Sequence, residues 1–139
     1  MTTQTIVPHL CIQGAADAVE FYRKALGATE LMRVPHEDGK RLMHVAIDIG
    51  GAQVFIHDDF PEYKECRPDL VGSPARVGST STTVHINVKN CDEAFERATK
   101  AGAETIVAPH DAFWGDRYAQ VIDPFGHSWS FAHTLQKQG

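Results

Sequence analysis

The sequence predicts an α+β fold built from two βαβββ modules in pseudo-two-fold repeat. Three observations carry this expectation. His9-Leu10-Cys11-Ile12 returns at a fixed offset as His85-Ile86-Asn87-Val88. Behind each copy the apolar positions keep one helical spacing, with Ala15, Ala18, Val19, Tyr22 and Ala25 matched by Cys91, Ala94, Phe95, Ala98 and Ala101. Each copy then leaves its helix through Gly-Ala, at Gly27-Ala28 and at Gly102-Ala103. A repeat of half the chain means a pair of modules, whereas a solenoid stacks three or more short units. Neither half is large enough to bury an adequate core alone, so the two are expected to share a core or a cavity.

The elements follow in order. Residues 5–12 read as a strand, with Val7, His9 and Cys11 on one face and Ile6, Leu10 and Ile12 on the other. An amphipathic helix starts at Ala15 and stops at Gly27, a natural C′ residue. Thr29–Val34, the Asp38-Gly39 turn and Arg41–Ile49 form a hairpin. In its second arm Met43, Val45, Ile47 and Ile49 make the apolar face, and His44, Ala46 and Asp48 the mixed one. Gly50-Gly51 turns the chain into a fourth strand, Ala52–His57, closing module one at about residue 58. From about 59 to 81 Pro61, Pro68, Gly72, Pro74 and Gly78 punctuate a polar connection with one turn of helix at most.

Module two, about 82–134, repeats the pattern. Thr82–Val88 is a strand with Thr83, His85 and Asn87 on one face. Asn90 and Glu93 have capping-box spacing for a helix that ends at Gly102. Glu104–Val107 is a strand, Pro109–Gly115 a loop and Arg117–Ile122 a strand. Asp123-Pro124-Phe125-Gly126 is a turn, and Ser128–His133 the last strand, with Trp129 and Phe131 packed under the helices.

Composition excludes several classes. Hydrophobic residues make up 42% and charged residues 22% of 139 positions, as in a globular protein. A net charge of −5 gives no general attraction to nucleic acid or to an anionic membrane. No apolar run reaches the length of a membrane span, and the N-terminus has no signal-peptide pattern. Three cysteines without metal-type spacing, Cys11, Cys66 and Cys91, read as reduced thiols of a cytoplasmic protein. Cys11 beside His9 is the only thiol placed for covalent catalysis, and proximity on one strand is all that supports it.

The doubled module, the helix phrase AVEFYRKALGA and the closing DPFGHSWSF resemble the vicinal oxygen chelate superfamily, which holds glyoxalases, bleomycin-resistance proteins and extradiol dioxygenases. MHVAIDIGGAQVFIHDDFPE and FWGDRYAQVIDPFGHSWSFAHT are similar to its PhnB-like branch. The resemblance covers about residues 6 to 134. It implies sheets curving into half-barrels around a cavity, helices on their outer faces, and a homodimer in many members. Metal-dependent members draw ligands from four strands, and the resemblance puts those positions at Val7, Phe55, Thr83 and Ser130. None of the four is a usual ligand of zinc, nickel, manganese or iron. The metal quartet is therefore expected to be lost, and no cofactor is expected.

His9 and His85 lie two residues beyond the lost positions and His57 two beyond Phe55, on the same strand faces. A displacement of one pleat, about 6–7 Å, leaves open a shifted metal set of His9, His57 and His85. The alternative is a hydrogen-bonding cavity wall. His44 joins that wall by alternation, and Ser130 faces it. The WGDRY phrase has two readings: a cavity rim, with Trp114 as apolar wall and Arg117 as anchor for an anion, or a loop braced by Asp116 and Arg117. The candidate ligand-binding residues are thus His9, His44, His57, His85, Trp114, Arg117 and Ser130. The expected function is small-molecule binding without a chelated metal. The alternatives are a metal-dependent lyase, isomerase or transferase, and a metal-free enzyme using histidine as acid and base.

Overall fold

The structure, a computed structural model, describes residues 3–136. Its elements run β1 (His9–Ile12), α1 (Ala15–Leu26), β2 (Thr29–Pro35), β3 (Leu42–Ile49), β4 (Ala52–Asp58), a 3₁₀ turn (Lys64–Cys66), α2 (Pro74–Val77), β5 (Thr83–Asn87), α3 (Cys91–Ala101), β6 (Glu104–Asp111), β7 (Asp116–Ile122) and β8 (Ser128–Thr134). They build two four-stranded mixed sheets of one topology, β1-β4-β3-β2 and β5-β8-β7-β6. In each sheet the module's first strand runs parallel to its last, and the other pairings are antiparallel. Neither sheet closes into a barrel. No helix among the described residues is long and apolar enough to cross a membrane.

Register makes the repeat exact in space. His9 pairs with Phe55, which pairs with Ala46; His85 pairs with Ser130, which pairs with Gln120. One step further along the middle strands, His44 is the counterpart of Tyr118. The last strand of each module also caps the helix of that module. Asp58 Oδ1 accepts from the Gly14 and Ala15 amides at 2.9 and 3.0 Å, and His133 Nδ1 accepts from the Cys91 amide at 2.8 Å. Both satisfy donors that a helix start leaves orphaned.

The two modules share one core. Leu10, Ile12, Val45, Ile47, Val54 and Ile56 of the first sheet and Ala119, Val121, Trp129 and Phe131 of the second are buried in one cluster with both long helices. Each helix lies on the apolar face of its own sheet, and α1 also packs against α3. The helices are therefore outer with respect to the mixed faces but central in the chain. Small residues permit that approach. Gly27 ends α1 at φ 69°, and a side chain there would meet the Arg97 guanidinium, which caps α1 by donating Nε–H to the Lys24 carbonyl at 2.8 Å.

A buried carboxylate pins the modules. Asp123 Oδ2 accepts from the Tyr22 hydroxyl at 2.5 Å and from Trp129 Nε1 at 2.9 Å, while Oδ1 accepts the amides of Phe125 and His127. Burial, with Asp123 alongside, holds the Tyr22 phenol well above its ordinary range. His127 Nε2 adds a bond to the Cys11 carbonyl at 2.8 Å.

Three segments differ from the sequence reading. β1 begins at His9, because Pro8 has no amide to donate and offers only its carbonyl to the Phe55 amide. β6 runs through Pro109 to Asp111, where a loop was expected; as the sheet's edge strand it can leave an amide position unpaired. The connection carries a 3₁₀ turn and a short helix, tied by Asp59, which accepts from the Ser73 amide, the Ser73 hydroxyl and Arg76 Nε at 3.0, 2.9 and 2.7 Å. Its α2 abuts the last turn closely: a Cβ on Gly126 would lie 2.6 Å from that of Pro74.

Candidate functional site

Alternation leaves one face of each sheet without a long helix, and the histidines gather there. On the first sheet β1, β3 and β4 bring His9, His44, Phe55 and His57 together. Ring centroids lie 4.8 Å apart for His9–His57, 5.8 Å for His9–His44 and 4.8 Å for His44–Phe55, with interplanar angles of 82°, 90° and 72°. The rings meet edge to face, the preferred geometry for adjacent π systems. His57 donates Nδ1–H to the Asp58 carbonyl at 2.8 Å, which leaves its Nε2 as an acceptor. Partial burial, and secondarily the neighbouring His57 and His44, lower the His9 pKa and favour its neutral form.

The second sheet carries a different wall at the equivalent positions. His85 Nε2 lies 3.1 Å from Asn87 Oδ1, an acceptor only, so Nε2 bears the proton and Nδ1 accepts from the Ser130 hydroxyl at 2.7 Å. Tyr118 stacks on His85, with centroids 6.3 Å apart and planes 11° from parallel. Trp114 and His110 meet Tyr118 edge-on at 5.6 and 6.1 Å. Beside them Thr83, Ser128 and Gln120 form a neutral chain: Thr83 Oγ1 and Ser128 Oγ are 2.9 Å apart, and Gln120 Nε2 donates to Ser128 at 2.8 Å. A concavity of about 470 Å³ lies there, between the strands and residues 78–82 of the connection. A larger one, about 720 Å³, follows the free edge of β5 between the modules, bordered by Pro8, Val54, His85, Arg97 and Trp129.

The structure thus brings His9, His44 and His57 into one group, and His85, Ser130 and Trp114 into another. Ser130 is buried beneath His85. No ring contact joins the two groups among the described residues. Arg117 stands with neither. It shares the parity of buried Ala119 and Val121, so it lies on the helix side of β7. Its Nε and Nη2 donate to both oxygens of Asp92 at 3.1 and 3.0 Å, and Nη1 donates to Asp111 at 3.1 Å. It is a strut between α3 and the β6–β7 hairpin. Asp116, its expected partner, accepts instead from Trp114 Nε1 at 3.2 Å. Asn87 joins the wall as its parity with His85 implied; Tyr118 and Gln120 also belong to it and were not singled out from the sequence, although their alternation with Ala119 and Val121 marks them.

The donor set does not fit a chelated metal. Val7 and Phe55 offer no ligand atom, and the Thr83 and Ser130 hydroxyls are engaged by Ser128 and His85. The shifted set fails as well, because both nitrogens of His85 are already bonded and His85 is grouped apart from His9 and His57. Among the described residues no carboxylate pairs with the three imidazoles of the first face. Among the described residues no three His, Cys, Asp or Glu side chains are placed to hold a metal ion. Thiol chemistry is no better served. Burial, then the nearby Asp59, pushes the Cys11 thiol up to about 12, and a thiol so protonated is a poor nucleophile at neutral pH.

Known proteins place this geometry. The family model described as Glyoxalase/Bleomycin resistance protein/Dioxygenase superfamily matches residues 6–131. An uncharacterised protein from Mycobacterium bovis is 44% identical over 130 residues, covering 94% of this chain and 83% of that one. Among solved structures, TioX from Micromonospora sp. ML1 is 27% identical, covers 98% of this chain and all of its own, and superposes with a TM-score of 0.69. The PhnB protein from Bacillus cereus reaches 0.70 at 11% identity, with 94% of this chain and 100% of that one covered, a likeness of fold alone.

Proposed function

The chain belongs to the Glyoxalase/Bleomycin resistance protein/Dioxygenase superfamily, and from that premise we propose that it binds a small molecule on its two mixed sheet faces, without a chelated metal. The observation that carries this is the pair of uncovered walls, each combining rings with neutral hydrogen-bonding groups, the mixture that orients a guest in a ligand site. The long helices α1 and α3 cover the opposite face of each sheet. The metal-dependent reading has one observation in its favour, the adjacency of His9 and His57; the bonded nitrogens of His85 and the missing carboxylate weigh against it.

The binding unit is a homodimer in this proposal. Each face of a single chain is open, and a second copy would set the histidine face of one protomer against the tyrosine–tryptophan face of the other. Phe113 is 97% exposed at the β6–β7 tip beside Trp114, and Leu31, Met32 and Met43 are exposed on the β2–β3 side. Apolar surface of this kind commonly marks an association site. Nucleic acid and membranes are not partners in this reading, given the net charge of −5. The unpaired Cys11, Cys66 and Cys91 accord with a cytoplasmic setting.

The test is a ligand-observed NMR screen of a fragment library against EDTA-treated protein, run with sedimentation. Expected are a dimer and a set of binders that disappear in the His44→Leu, Trp114→Ala double variant while its melting curve is retained. A monomer at every concentration removes the dimer. Absence of binders, or binders indifferent to both substitutions, removes the proposal.

A further inference from the structure

We infer that the guest of these faces is an uncharged, flat aromatic molecule with hydrogen-bonding groups on its rim; the inference rests on the binding proposal above and names the ligand class. The first ground is charge. All seven arginines already have partners within the protein. Arg23, Arg33, Arg41, Arg67, Arg76 and Arg117 each pair with a carboxylate, and Arg97 caps α1 through backbone carbonyls. Among the described residues no lysine or arginine lines the concavity of Thr83, Gln120 and Ser128, and Lys89 and Arg97 border only the larger one at the β5 edge. An anion moved onto such a wall would surrender its hydration and gain no cation in return. A cation would find ring faces but carboxylates only at the strand ends, where Asp48 and Asp116 already accept from the Gly51 amide and from Trp114.

The second ground is shape. On the first face His9 meets His57 at 82° and His44 at 90°; on the second, Tyr118 meets Trp114 at 71° and His110 at 83°. Two rings at a right angle make a corner. A flat guest stacked on one ring receives the edge of the other, so it gains both favoured aromatic geometries at once. The polar groups nearby are of both kinds. His57 Nε2 is an acceptor, while the Thr83, Ser128 and Tyr118 hydroxyls both donate and accept. Such a rim suits ring nitrogens, amides and phenols, none of which needs a counter-charge.

The experiment compares three probes of one ring system at pH 8, where free imidazole is neutral: 2-naphthamide, 2-naphthoate and 2-naphthylmethylammonium. Binding is followed by calorimetry and by quenching of Trp114; Trp129, 1% exposed, is the internal control, read alone in Trp114→Phe. The amide is expected to bind at least tenfold more tightly than either charged analogue. His44→Leu is expected to weaken it about fivefold, and Leu70→Ala, on the connection, to leave it unchanged. Naphthoate or the ammonium binding as tightly as the amide overturns the charge argument and leaves the binding proposal standing. Equal binding by His44→Leu overturns the aromatic corner. If none of the three binds at millimolar concentration, the binding faces themselves are refuted, and the ligand class with them.

Discussion

Removing the Tyr22 hydroxyl tests how the two modules are held. Tyr22 is fully buried and Asp123 is 4% exposed, so their bond at 2.5 Å has no water to replace it. In Tyr22→Phe the carboxylate keeps three donors, from Trp129 and the Phe125 and His127 amides, and the ring leaves no cavity larger than an oxygen atom. The loss is then one charge-assisted hydrogen bond, about 2 kcal/mol. For a chain of this size that lowers Tm by roughly 8 °C. Asp123→Ala is worse, about 4 kcal/mol, because it orphans the hydroxyl, the indole N–H and two amides together. Urea unfolding at fixed protomer concentration, followed by Trp129 fluorescence, measures both, and an unchanged m-value shows that the same surface unfolds. A second signature is alkaline. The folded phenol pKa is raised, so the stabilisation is complete below the unfolded value of about 10 and is lost as pH rises through the folded one. Tyr22→Phe should lack that loss. A variant within about 0.5 kcal/mol of the parent, with the same alkaline slope, would refute the pin.

Three further outcomes follow from the same geometry. His9 should titrate by NMR with a midpoint below 6.5, and His57→Asn should raise it only part of the way, because burial is the larger cause. A depressed histidine stabilises fully above the unfolded value and loses that contribution as pH falls from there through the folded one, so a midpoint at or above 6.5 contradicts the packed trio. Protein dialysed against excess zinc, nickel or manganese should retain less than one metal per chain by elemental analysis; a stoichiometric ion lost in His9→Ala would reverse the reading of the donor set. Gly126→Ala should cost about 2 kcal/mol or more in urea unfolding, since φ is 90° and Pro74 stands in the way, and a neutral result would mean that α2 does not abut the turn.

The architecture was legible because each module states its own faces. Alternation along β3 and β8 and the helical spacing from Ala15 and Cys91 decide which side of each sheet takes a helix, and His9, His44, His57 and His85 fall on the other side by parity alone. Parity would also have placed Arg117 with Ala119 and Val121; the WGDRY phrase drew it toward an anion, while Asp92 on α3 holds it. Other features rest on partners remote in sequence. Pro109 belongs to a strand only because β6 is an edge, and the connection is ordered by Asp59 reaching Ser73 and Arg76. How the modules face one another depends on Tyr22 meeting Asp123 and His127 meeting Cys11, contacts that no periodicity encodes. A repeat can therefore prescribe two equivalent walls and still leave their mutual orientation to a few buried polar bonds. Here those bonds draw the helices together, α1 against α3, and leave each mixed face open on the far side of its own sheet. The same bonds that complete the core of one chain thus leave its two walls facing away from each other's helices and uncovered by them.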